Sequence, residues 1–148
     1  MTNEQQAAVT ASTPNPATMA LAAGAGLGAA IVGAALWAVV TVMSNYELGI
    51  MAIAVGYLVG QAIILTVKHG NNVLGIIGAA CSLFGCLLGN LLTAVGFAAQ
   101  AWHTSYIDVL THLTPAVATR LFAVTFGYMD LLFYAIAIYE GYRFASRG

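Results

Sequence analysis

From Val73 to Trp102 the chain runs for thirty residues without a charged side chain, and no other feature constrains its fold as much. About 20 apolar residues at a rise of 1.5 Å span a hydrocarbon core of about 30 Å, so this stretch can cross a membrane as a single helix. Within it Gly78, Ser82, Gly85, Gly89, Thr93, Gly96 and Gln100 recur at spacings of four and three. Such spacing puts them on one helical face that carries almost no side chains. In lipid, helices gain nothing hydrophobically by leaving the tails for one another, and close backbone approach over small residues holds them together instead. The pattern predicts that this helix is the centre of a bundle.

The rest of the chain has the same character. Only 6% of its residues are charged and 61% are hydrophobic, against about 25% charged in an ordinary soluble domain. The expected fold is all-α, a polytopic membrane protein, and the 148 residues leave no room for a separate soluble domain. A net charge of −1 spread over so few groups makes no field that would recruit nucleic acid. Cys81 and Cys86 lie five residues apart in the central span, about 140° apart around a helix, and read as small buried thiols rather than a disulfide or metal pair.

In chain order, residues 1–18 form a polar Ala/Thr/Pro-rich leader with Pro14 and Pro16, expected to be disordered. It lacks a basic signal-peptide region, and no cleavage is expected. The first span runs over about 19–43, with Ala22, Gly26, Ala30, Gly33 and Trp37 along one side; the Trp37 ring alternatively suits the headgroup region. Ser44 to Leu48 is a short hairpin carrying Glu47 at the water. The second span covers about 49–67, with Ala52, Gly56 and Gly60 at four-residue steps and Gln61 at depth, where an amide needs an interhelical partner. Lys68 to Asn72 reads as a stop and a start, with Gly70 in the left-handed conformation and Asn71 or Asn72 as the next cap.

After the central span (about 73–102), residues 105–113 form a short interfacial amphipathic helix. It carries Tyr106, Val109, Leu110 and Leu113 on one face and Thr104, Asp108, Thr111 and His112 on the other. Ser105 is its predicted cap, with Asp108 three residues on. Thr114 and Pro115 then open a fourth span over about 115–142. Its stripe of Thr119, Ala123, Gly127, Asp130, Tyr134, Ala137 and Gly141 faces inward, with Asp130 near its middle. A rival reading starts that helix at Asp130 and leaves only Leu131 to Tyr139 before Glu140. Four spans put Lys68, Arg143 and Arg147 on one side and Arg120 alone on the other, which predicts that both termini are cytoplasmic.

A carboxylate at mid-bilayer is a functional hypothesis by default. Asp130 is therefore the principal candidate, expected to hydrogen-bond to Asn90 or Thr93, with Gln61, Gln100 and Tyr134 completing a proton or polar site. The plainer reading is a polar clasp that locks helix register. No proline-broken helix pair of the kind found in carriers is visible. His69, His103 and His112 do not form a ligand set, no cofactor or metal is expected, and no nucleophile-base pair points to an enzyme. The glycine faces, with Gly56, Gly60, Gly78, Gly85, Gly89, Gly96 and Gly127 as packing positions, also leave room for a homo-oligomer or a larger membrane complex.

The chain resembles small four-span membrane proteins found in many bacteria. The resemblance rests on Trp37, on Glu47-Leu48-Gly49 leading into Ala52, Gly56 and Gly60, and on Asp130-Leu131-Leu132-Phe133 with Ala137. It implies a fold type and an inner-membrane location, and no activity. It also implies that the Asp-Leu-Leu-Phe segment lies near the beginning of a span. The function expected from the sequence is that of a non-enzymatic structural or interaction subunit, with a small proton-coupled transporter or channel subunit built on Asp130 as the alternative.

Overall fold

The computed structural model describes residues 2–5, 14–46 and 49–147, and among these it contains no strand. From Pro14 onward six helices form: α1 Pro16–Ser44, α2 Ile50–Val67, α3 Asn72–Ala101, α4 Tyr106–Thr111, α5 Pro115–Thr125 and α6 Tyr128–Ser146. Each boundary has a local cause. Asn15 accepts from the Thr18 amide at 2.7 Å and Pro16 occupies the first turn, where a missing N–H costs nothing. α1 thus begins three residues earlier than the expected Met19. Residues 6–13 of the leader, and Glu47 in the hairpin, lie outside the described residues.

α1 ends on Asn45 in the left-handed conformation (φ 55°), which the short polar side chain tolerates. At the end of α2 it is Lys68, not Gly70, that turns left-handed (φ 67°), with its amide donating to the Ile64 carbonyl at 2.7 Å. Asn71 then caps α3, accepting from the Leu74 amide at 2.9 Å.

Three helices, α1, α2 and α3, are each long and apolar enough to cross a membrane. Their directions follow from which residues meet. Gly26 of α1 lies against Cys81 and Ile63, Gly33 against Val55, and Gly89 of α3 against Trp37, so α1 runs parallel to α3 and antiparallel to α2. The inward side of α1 is the one expected: Ala22, Gly26, Ala30, Gly33 and Trp37 are all buried. Trp37 belongs to the core and not to the headgroup region. On α3 every member of the small-residue face is buried except Gln100, which is exposed. α3 touches each of the other five helices and is the centre of the bundle.

The expected continuous helix over 115–142 is two helices. α5 and α6 meet at Phe126–Gly127 with a bend of 100°, and only together do they pass as one membrane-crossing segment. The break is built from polar groups that satisfy the loose helix ends. Thr125 donates its hydroxyl to the Leu121 and Phe122 carbonyls at 2.9 and 3.2 Å, and Asp130 accepts from the Gly127 amide at 2.7 Å. Gly127 is the N-cap of α6 and Asp130 its third residue, half of a capping box. Asp130 is therefore in the first turn of a helix and not in the middle of a continuous one. The expected stripe divides with the helix: Tyr134, Ala137 and Gly141 are buried, while Thr119, Ala123 and Gly127 are exposed. Gly127 serves as a cap, and a Cβ there would meet only the Asp130 carboxylate, at 3.7 Å.

α6 continues past Glu140 and Arg143 for 19 residues in all, about 28 Å at the standard rise. The rival reading, which starts the helix at Asp130, falls within three residues of the observed cap at Gly127; its end before Glu140 is too early, because a long charged side chain near a helix end can reach water along its own stem. α6 runs parallel to α2, from Phe133 beside Gly49 to Phe144 beside Gly60, and antiparallel to α3, with Ala145 beside Gly78. Its seat is almost backbone on backbone. A Cβ on Gly56 would strike the Ala137 carbonyl, one on Gly78 the Gly141 carbonyl, and one on Gly141 the Ser82 hydroxyl.

α4 is capped by Ser105, which accepts from the Asp108 amide at 3.1 Å. Val109 is buried with Val95, Ala98 and Ala99 of α3, while Ile107 and Leu110 are exposed. Tyr106 donates to the Leu92 carbonyl at 3.1 Å, and partial burial pushes its phenol up from the ordinary value.

A glycine-to-alanine series reads this packing by sign. Gly56→Ala and Gly78→Ala force a methyl into backbone and should lower stability by about 1–3 kcal/mol. Gly24, with nothing within 4 Å of an added Cβ, should instead gain up to about 1 kcal/mol from helix propensity in Gly24→Ala. Thermal unfolding of the detergent-dispersed monomer checks both, and equal effects at the three sites would contradict the seat described.

Candidate functional site

Near the end of the bundle that holds the α1–α2 turn, polar side chains from four helices face one another in an otherwise apolar interior. Thr41 comes from the last turn of α1, Asn90 and Thr93 from α3, Thr125 from the end of α5 and Asp130 from the first turn of α6. Together with Trp37 and Gly49 they line a cavity of about 10 Å³. Asn90, Thr93 and Thr41 are buried, Thr41 completely; Asp130 and Thr125 are half-buried. The expected hydrogen bond from Asp130 to Asn90 or Thr93 is not formed; the carboxylate accepts from the Gly127 amide through one oxygen. The three residues nonetheless share one wall.

Asn90 pairs with Tyr134 instead. Its amide nitrogen donates to the Tyr134 hydroxyl at 3.1 Å, and that hydroxyl donates to the Cys86 carbonyl at 3.1 Å. A phenol has one proton to give. With that proton on the Cys86 carbonyl, Asn90 must present its NH₂ group to the phenol oxygen, which turns its carbonyl oxygen the other way. The Tyr134 ring is held edge-on by Trp37 (centroids 6.5 Å apart) and by Phe126 (5.7 Å), and Phe126 stacks on Phe122 at 5.1 Å. The residue at the break is thereby anchored to α1 through a run of aromatic contacts.

Two groups of serine and threonine hydroxyls stand apart. Ser82, Thr66, Thr119 and Thr125 donate to the carbonyl four residues back in their own helix, the usual way an apolar environment satisfies such a group. Thr41 and Thr93, both fully or almost fully buried, have no hydrogen-bond partner among the described residues. Both line the cavity.

The remaining candidates lie elsewhere. Gln61 is half-buried on the far side of α2, in a groove of about 620 Å³ between α1 and α2 lined by Gly24, Gly28, Leu58 and Leu65. Gln100 is exposed near the end of α3. Gly56, Gly60, Gly78, Gly85, Gly89 and Gly96 are all buried at helix contacts within the chain. Sequence reasoning missed Thr41 and Thr125. Thr41 is four residues beyond Trp37 on the stripe already recognised, and Thr125 immediately precedes the Phe126–Gly127 pair, so spacing could have found both.

Among the described residues no three His, Cys, Asp or Glu side chains converge. His112 sits beside the Asp108 carbonyl at 2.8 Å on the exposed face of α4. The chain is an α-helical membrane protein by the length and apolarity of α1, α2 and α3. No protein family, curated protein or solved structure matches it.

The Asn90–Tyr134–Cys86 relay ties α6 to α3 and has a measurable worth. Tyr134→Phe should cost about 1–2 kcal/mol, and Asn90→Leu about the same. The double variant should cost clearly less than the sum, because the two share a bond. Additive losses in a thermal double-mutant cycle would show that the relay does not act as a unit.

Proposed function

We propose that this chain is a non-enzymatic, four-span inner-membrane protein that works by lateral association, with a second copy of itself as the partner. The observation that carries this reading is Gln61. Its amide, two-thirds of the way along α2, has no hydrogen-bond partner among the described residues, and it opens into a groove floored by Gly24 and Gly28. Every buried glycine of the other stripes is occupied by packing inside the chain, whereas Gly24 and Gly28 have nothing within 4 Å of an added Cβ. Glycines four apart allow close helix approach in lipid, and an amide at depth gains from an interhelical bond. A two-fold axis through the groove would let the two Gln61 amides satisfy each other. Leu21, Val32 and Leu65, each more than half exposed, supply an apolar rim.

The test is subunit counting in liposomes over a dilution series. Wild type should pass from dimer to monomer on dilution. Gly24→Leu with Gly28→Leu, and Gln61→Leu, should each shift that transition to higher protein density without lowering the unfolding temperature of the monomer. A wild type that is monomeric at every density, or that assembles only with another protein, would sink the self-association.

Four spans require α6 to cross as well. Its course beside α2 from Gly49 to Gly60 supports this, as does the meeting of Tyr142 with Asn72, hydroxyl to amide oxygen at 3.3 Å, at the end where Lys68 also lies. We assign that end, with both termini, to the cytoplasm, and α4 to the opposite interface. Single cysteines at Lys68 and Arg147 should therefore resist an impermeant maleimide added to intact cells, while one at His103 reacts. Reaction at Arg147 but not at Lys68 would leave only three spans.

A second reading, a proton-coupled transporter or channel subunit, draws on the broken α5/α6 pair beside Asp130, since interrupted helices mark many transport sites. Gln61 has no part in it, being on the far side of α2. A pH-driven flux in proteoliposomes that is lost in Asp130→Asn would favour this reading over the first.

A further inference from the structure

We infer that the polar cavity between α1, α3 and α6 is a binding site for one internal water, which joins Thr41 and Thr93 to Asp130 and so fastens the broken helix to the core. The site is distinct from the α1/α2 groove and does not depend on lateral association. Two hydroxyls that are 0% and 2% exposed face the cavity without a partner. The Ser82, Thr66, Thr119 and Thr125 hydroxyls, by contrast, return their protons to the backbone of their own helix. A buried hydroxyl left unpaired is costly, and a polar cavity accommodates a water once it offers about 10–15 Å³ and two to four partners. The cavity offers about 10 Å³, room for one guest.

Donor and acceptor balance selects the guest. Thr41 and Thr93 have protons to give, and a water accepts two. Opposite them are acceptors: the Asp130 carboxylate, the Thr125 oxygen, whose own proton goes back to α5, and the Asn90 carbonyl oxygen, turned from Tyr134 by the relay. A water donates two. A small monovalent cation would fit the volume and the carboxylate, but it cannot accept from the threonines, and it would leave both protons unpaired. Nor does the carboxylate need a cation, because it is half-buried, takes the Gly127 N–H and sits at the N-terminal end of α6, where the helix dipole favours negative charge.

Isosteric replacement decides by sign. If a water is shared, Thr41→Val and Thr93→Val should each lower the unfolding temperature by a few degrees, about 2–4 °C. The double variant should then lose less than the sum, because the first change already weakens the water's hold. In a dry cavity the same changes remove an unpaired hydroxyl, and the temperature would rise or stay level in both, overturning the proposal. The unfolding temperature should also be the same in sodium, lithium, potassium and choline chloride at equal ionic strength. A stabilisation specific to one cation and lost in Thr93→Val would replace the water with an ion. Independently of stability, magnetisation transfer from water in lipid nanodiscs should reach the Thr41 and Thr93 methyl protons and not those of Ala30 and Ala34. Transfer to neither threonine would also refute the site.

Discussion

The close seat of α6 against α2 and α3 is the contact on which the rest of this structure depends. Gly56 and Gly78 present bare backbone to Ala137 and Gly141, and Gly141 in turn leaves room for Ser82. Lipid offers helices no hydrophobic reason to pair, so dispersion between closely approaching backbones must hold them. One methyl at any of these points separates the helices. The same seat sets the register of α6, and register brings Tyr134 level with Asn90 and Asp130 level with Thr93.

The bend at Phe126–Gly127 follows from an accumulation of local preferences with no proline present. Thr125 occupies the last carbonyls of α5, Phe126 leaves the helix with an extended backbone, and Gly127 receives Asp130 as a cap. Each is modest in isolation. Together they give two helix ends that satisfy their own polar groups, and the Phe126 ring, wedged between Phe122 and Tyr134, holds the joint against the bundle. A break made this way can sit at membrane depth because its loose backbone groups are occupied.

Polar side chains are sorted by the same geometry into two unlike places. Asn90, Thr93, Thr41 and Asp130 gather on one cavity inside the bundle, while Gln61 faces outward into a glycine-floored groove on the opposite flank. The first arrangement bonds the chain to itself. The second leaves the Gln61 amide without a hydrogen-bond partner among the described residues.

Much of this was legible in the amino-acid order. Hydropathy and length marked three helices able to cross a membrane, small residues at spacings of four and three marked the buried faces of α1, α2 and α3, Asn71 and Asn72 were the two candidates for the cap of α3, and Ser105 announced the cap of α4. Those signals are local or periodic, and a helix expresses them whatever surrounds it. Hydropathy carries no direction, however, so Pro115 to Tyr142 read as one straight span, and Asp130 fell in its middle. Gly127 as a cap left no side-chain signature. Only the tertiary structure decided that the chain turns there through 100°, that the Trp37 ring points inward, that Asn90 meets Tyr134 rather than Asp130, and that Thr41 joins the site. Each of these is set by which residues of distant helices come level, and that depends on packing distances of a few ångströms that no single stretch of sequence contains.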